Sequence, residues 1–149
     1  MTAQIPLEAW PIGLEAQAVH LALDPAQIHR RSKLDFARAR DSLDDFDAAV
    51  VDLGDGKSFA LQHYVNAPEP GTILVLKAGT ADGLAEALGM LKVKPGEVLW
   101  VAPDLKDDLD TILASKRPRR AAALAAGLAI GVGASVLARR HKRRARPAS

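Results

Sequence analysis

The sequence predicts an α/β domain, a small and mostly parallel sheet flanked by helices, followed by one C-terminal hydrophobic helix. Three observations lead there. Residues 48–53, 72–76 and 98–102 are almost continuously apolar. A strand with one wet face alternates polar and apolar residues, whereas a strand covered on both faces, as in a parallel sheet between helices, reads as an unbroken apolar run. Segments with helical spacing fall between these runs, which gives the strand–helix alternation of an α/β domain. Beyond the last of them, 121–138 is an uncharged stretch of 18 residues.

Taken in order, residues 1–13 read as an irregular lead-in that contains Pro6 and Pro11. No Lys or Arg precedes Arg30, so the basic region and apolar run of a secretory signal are not expected. Trp10 is expected to pack on the body. Residues 18–23 form a weaker fourth strand candidate, which competes with a short helix from Leu14. Asp24-Pro25 is a helix start, with Asp as N-cap and Pro at the first helical position. Phe36, Ala39, Leu43 and Phe46 continue it at helical spacing, with Arg30, Arg31, Arg38 and Arg40 on the solvent side.

Residues 58–65 have two readings. Leu61, Tyr64 and Val65 suit a short helix started by Ser58. Asp55-Gly56 is instead a hairpin turn signal, and Phe59, Leu61, His63 and Val65 alternate. A hairpin over 48–65 would make the domain α+β with a mixed sheet. The next helix starts near Thr80 with Asp82 in its first turn. It carries the stripe Leu84, Leu88 and Leu91 and ends at Lys94-Pro95-Gly96. In the last helix Asp104 is the expected cap, Asp107 and Asp108 favour the positive end, and Leu105, Leu109, Ile112 and Leu113 make one apolar face. Arg117-Pro118 closes it.

Composition narrows the chemistry. The chain has 149 residues, 48% apolar and 26% charged, which is the composition of a folded domain. It has no cysteine, so disulfides, cysteine-ligated zinc, iron–sulfur clusters and thiol nucleophiles are excluded. All 18 acidic residues lie between Glu8 and Asp110, whereas the 20 Lys and Arg divide evenly about residue 116. Residues 1–115 therefore carry a net −8 and residues 116–149 carry +10.

Gly56-Lys57-Ser58 ends like a phosphate-binding loop, but the glycine required five residues earlier is Val51, so the segment reads as a polar turn. Asp41, Asp44, Asp45, Asp47, Asp52 and Asp55 lack the spacing of a calcium loop and read as solvated charges. In parallel sheets ligands bind beyond the carboxyl ends of the strands. Asp24, Asp52, Lys77 and Asp104 would lie there, and Asp52 and Lys77 are the candidate ligand-binding residues. The run around Asp52 resembles the phosphoacceptor strand of receiver domains and the acidic strand end of phosphate-loop ATPases. The second acid expected beside Asp24 and the Lys-Pro expected at Ala102-Pro103-Asp104 are missing, as are the nucleotide-loop glycines, so no function is carried over. His20, His29, His63 and His141 show no metal-ligand spacing, and His63 reads as structural. No catalytic residue, metal or cofactor is assigned.

The tail divides into a basic linker at 116–120, a single transmembrane helix at 121–138 and a basic tail at 139–149, after an acidic α/β domain at 14–115. As a helix, 121–138 spans about 27 Å, close to the roughly 30 Å hydrocarbon thickness of a bilayer. Lys116, Arg117, Arg119, Arg120, Arg139, Arg140, Lys142, Arg143, Arg144 and Arg146 bracket it and would contact anionic lipid headgroups. Ala123, Gly127, Gly131 and Ser135 recur every fourth position and would allow a close helix–helix contact, hence a homodimer. The expected location is the membrane, single-pass, with the body in the cytoplasm.

The reading of function that follows is a membrane-anchored binding, scaffold or regulatory module rather than an enzyme, with an unidentified protein partner. One alternative is nucleic-acid binding by the basic tail. Another is an enzyme using the strand ends around Asp52 and Lys77.

Overall fold

The computed structural model describes residues 2–10, 15–42 and 44–115; residues 1, 11–14, 43 and 116–149 lie outside the described residues. Met1–Ser115 form one compact unit. Its strands are β1 (Ala3–Ile5), β2 (Glu15–Leu21), β3 (Ala37–Arg40), β4 (Asp45–Gly54), β5 (Lys57–Tyr64), β6 (Thr72–Lys77) and β7 (Val98–Val101). Its helices are α1 (Pro25–Ser32), α2 (Leu84–Met90) and α3 (Lys106–Ser115).

All seven strands join one sheet, and every pairing in it is antiparallel. The mostly parallel sheet expected from the sequence is therefore corrected. The order runs β1, β4, β5, β6, β2, β7, and β3 also pairs β4. Because β5 occupies one side of β4, β3 and β1 share the other side end to end, β3 along 45–48 and β1 along 50–52. The runs at 48–53 and 72–76 are largely buried on both faces, whereas 98–102 forms the edge strand β7 with Leu99 and Trp100 exposed; two-sided burial in any case does not specify strand direction. Here helices cover one face and the N-terminal segment covers part of the other. Direction is set by the connections. Between β4 and β5, Gly54, Asp55 and Gly56 all take positive φ (84°, 53° and 74°), a backbone that glycine adopts without steric cost, so 48–65 is a hairpin.

Opposed residues in an antiparallel sheet share a face. On one face Ala49, Val51, Phe59, Leu61, Leu74 and Leu76 pack with Val19 and Leu21 against Ile28 of α1, Leu84, Ala87 and Leu88 of α2, and Leu109 of α3. Thr72 is the buried polar residue of this region, and its hydroxyl donates to the Leu23 carbonyl at 2.7 Å. On the other face Val50, Ala60 and Val75 pack with Trp10, joined by Ile5, Leu7 and Ile73.

The helices also correct the expectations in part. α1 starts at the Asp24 cap with a capping box: the Gln27 N–H donates to Asp24 Oδ1 at 2.7 Å, and the Asp24 N–H donates to Gln27 Oε1 at 2.9 Å. It stops at Ser32, where Lys33 turns left-handed (φ 62°), so Ala39 and Phe46 lie on strands instead of a helical stripe. Leu43 lies outside the described residues. The alternation Ala37-Arg38-Ala39-Arg40 was the missed strand signal, and Arg38 and Arg40 meet Asp47 and Asp45 at 2.7 and 3.2 Å. Asp104 is not the cap of α3; it sits inside a one-turn 3-10 helix, Pro103–Leu105, that precedes it.

One clamp ties the two ends of this layer together. Arg31 of α1 grips Glu97, just before β7, with Nη1 and Nη2 donating to the two carboxylate oxygens at 2.9 and 2.7 Å. Glu97 also accepts from the Lys94 N–H at 2.9 Å. The Arg31 hydrogen bond foremost holds the Glu97 carboxyl down at about 2, and the same bond raises the Arg31 guanidinium.

The transmembrane assignment is corrected as well. Among the described residues no helix is long and apolar enough to cross a membrane. Residues 121–138, on which that expectation rested, lie outside the described residues, as do the ten flanking cations and the small-residue repeat.

Candidate functional site

The face of the sheet without helices carries the site. Successive same-face positions on β4 are Phe46, Ala48, Val50 and Asp52, and each heads a row across the sheet. Phe46 opposes Ala39 and Tyr64. Ala48 opposes Ala37 and Gln62, and Gln62 opposes Ile73. Val50 opposes Ile5 and Ala60, and Ala60 opposes Val75. Phe46 and Val50 are four residues apart, so their backbones are separated by about 13 Å.

Bulky groups stand at both ends of that span and a methyl group in the middle. At one end the Phe46 and Tyr64 rings lie 5.3 Å apart at an interplanar angle of 40°. At the other, Trp10 sits on Val50, Ala60 and Val75, brought there by the 3-10 turn Leu7–Ala9 and its Trp10 N–H bond to the Leu7 carbonyl at 3.0 Å. Ala48 and Gln62 form the floor between them. The result is a groove of about 530 Å³ that Trp10, Phe46, Ala48, Gln62 and Tyr64 line together with Gln17. That volume is within the range of small-molecule sites, and the mixture of apolar walls with a few polar groups is what such sites contain.

The polar groups differ in how far they are already engaged. The Tyr64 hydroxyl donates to Asp41 at 2.8 Å; burial foremost, and then this carboxylate, pushes the phenol up to about 12. Arg40 on the rim is held by Asp45. The side chains of Gln17 and Gln62 make no hydrogen bond among the described residues. Trp10 is 8% exposed, and its Nε1 is buried with no hydrogen-bond partner among the described residues. An unpaired buried donor costs on the order of 1–3 kcal/mol, a cost that natural proteins seldom leave uncompensated.

The candidate residues Asp52 and Lys77 lie one row further along this face. Ser58 opposes Asp52, and its neighbour Phe59 opposes Leu76, so β5 separates the two side chains. Both are exposed, and Asp52 accepts from the Gly54 N–H at 2.8 Å, a hydrogen bond that supports the hairpin turn. Lys57 of the polar turn meets Glu86 of α2 at 3.0 Å. Asp24 serves as the α1 cap. His63 is held by the Gly71 carbonyl, 2.6 Å from its Nδ1. Among the described residues no group of three or more His, Asp or Glu is placed to hold a metal ion.

Sequence reasoning missed the groove because it placed Phe46 on a helix and allowed Tyr64 two conformations. The recoverable signal was Phe46-Ala48-Val50 beside Ala60-Gln62-Tyr64, two period-two sets in which Ala48 and Gln62 lie between an aromatic and an aliphatic residue. No protein-family model matches the chain, and neither a curated protein nor a solved structure is similar to it.

Proposed function

We propose that this domain is a binding module and that the groove over Ala48 is its ligand site. The observation that carries the reading is the co-location, on paired strands, of a bounded apolar trench with uncommitted polar groups. Gln17 and Gln62 supply donors and acceptors, while Trp10, Phe46 and Tyr64 supply apolar walls. Such a surface orients a small amphipathic molecule, and its rigid backing reduces the ordering cost on binding. The Tyr64 hydroxyl donates to Asp41 on the lining, but its phenol, pushed up to about 12, stays neutral, and the reading the groove supports is binding.

The test uses indole as a planar, neutral probe and the backbone amide NMR spectrum of the full chain. Indole is expected to shift the amides of Ala48, Gln62 and Tyr64. Ala48→Leu fills the floor of the trench and should weaken that binding about tenfold, with the circular dichroism spectrum unchanged. Equal binding by the parent and Ala48→Leu overturns the assignment.

A further inference from the structure

We infer that β7 is a self-association edge, on which a second copy of this chain docks antiparallel about a two-fold axis, with Leu99 and Trp100 of both copies in one cluster. β7 closes the sheet: β2 pairs with one side of it, and among the described residues nothing pairs with the other. The opposite edge is made by β1 and β3. β3 is as long as β7, four residues, but two of them are Arg38 and Arg40. In β1 the Gln4 side chain is taken up by the Asp35 backbone. Charged side chains are one of the devices that keep a sheet edge from pairing, and Val98-Leu99-Trp100-Val101 has none. Instead Leu99 and Trp100 are 52% and 46% exposed, while Val98 and Val101 pack on the helix-side core. Leu99 is the extra residue of a bulge, between Trp100 opposite His20 and Val98 opposite Leu21. The bulge shortens the ladder that a second strand can add, so the contact is carried by side chains.

Charge selects the occupant and its direction. Exposed Lys92 and Lys94 precede β7, and exposed Asp104, Asp107 and Asp108 follow it. The ion pairs described for this stretch are Arg31–Glu97 and Lys106–Asp110, and these five charges stand outside them. The strand is therefore flanked by positive charge at its start and negative charge at its end. Two antiparallel copies bring the lysine end of each to the aspartate end of the other, whereas a parallel arrangement would set like charges together. A two-fold contact uses the same patch on both partners, so a second copy satisfies both ends at once. Surface ion pairs add little affinity; they fix the orientation, and the Leu99–Trp100 cluster supplies the contact. With so short a strand the dimer is weak, with a dissociation constant on the order of 100 µM.

The test follows the full chain by amide NMR and sedimentation equilibrium from about 20 µM to about 1 mM, which brackets that constant. Rising concentration is expected to shift the amides of Leu99, Trp100 and Val101 and to raise the average mass toward that of a dimer. Trp100→Lys sets two like charges at the centre of the contact and should raise the dissociation constant about tenfold or more. Its circular dichroism should be unchanged, because Trp100 is half exposed. Lys94→Glu should weaken the dimer about threefold, and adding Asp104→Lys should restore it, since the reversed charges are again complementary across the two-fold. A chain that stays monomeric at the highest concentration overturns the docking edge. So does association that leaves the β7 amides unmoved, or equal association of parent and Trp100→Lys. If adding Asp104→Lys does not restore association, the antiparallel arrangement is overturned.

Discussion

The two faces of the one sheet are built from alternate residues of the same strands, and they have opposite uses. On the helix side β5 and β6 present Phe59, Leu61, Leu74 and Leu76, all buried, and three helices close over them. On the other side the same two strands present Ala60, Gln62, Ile73 and Val75, and the cover is a short N-terminal segment ending in Trp10. Large interdigitating side chains fill space and carry stability; small ones leave a trench that can receive a ligand. The groove here comes from deleting volume from one face of a sheet whose other face holds the fold.

The sharpest way to break that division is to remove volume from each face. Phe59→Ala is expected to cost about 3–5 kcal/mol, measured by urea denaturation. Val50→Ala, on the groove side, should cost only about 1–2 kcal/mol, at about 0.8 kcal/mol per methylene. Equal losses would mean that the groove face is as much a core as its opposite.

A smaller effect comes from the Arg31–Glu97 clamp, which belongs wholly to the helix side. Arg31→Ala should cost about 1–2 kcal/mol, since the pair is charge-assisted and bidentate but not deeply buried. Its pH dependence has a definite sign. Glu97 has a folded-state value of about 2, below the ordinary 4.5, so its contribution is complete above about 4.5 and lost as pH falls toward 2. Glu97→Gln should therefore flatten the stability profile over that acid window and leave groove binding unchanged. A profile that is parallel in parent and variant between those values sinks the attribution.

The smallest expected change concerns Trp10. Trp10→Phe keeps a ring on Val50, Ala60 and Val75 and removes the unpaired Nε1–H. Relief of that donor offsets the lost surface, so the net change should stay within about 1 kcal/mol. A loss of several kcal/mol in thermal or urea unfolding would show that Nε1 has a partner after all.

The amino-acid sequence by itself determined which apolar segments become strands and where α1 begins, but not that β7 would leave Leu99 and Trp100 exposed. The apolar runs at 48–53, 72–76 and 98–102 coincide with β4, β6 and β7, and Asp24-Pro25 starts α1, because local caps and local hydrophobic density are properties of neighbouring residues. The stripes Leu84/Leu88/Leu91 and Leu105/Leu109 were legible for the same reason, and both face the core. Strand direction was not legible. An apolar strand needs cover on two faces, and the sequence does not state whether that cover is a second helical layer or an N-terminal segment folded back from forty residues away. The helical spacing of Phe36, Ala39 and Phe46 was overruled by pairing: Arg38 and Arg40 find Asp47 and Asp45 only when β3 lies beside β4. The groove depended most on tertiary structure. Trp10, Ala48 and Tyr64 are far apart in sequence, and only the register of β4 with β5 and the return of the N-terminal segment over Val50 place an alanine between aromatic walls.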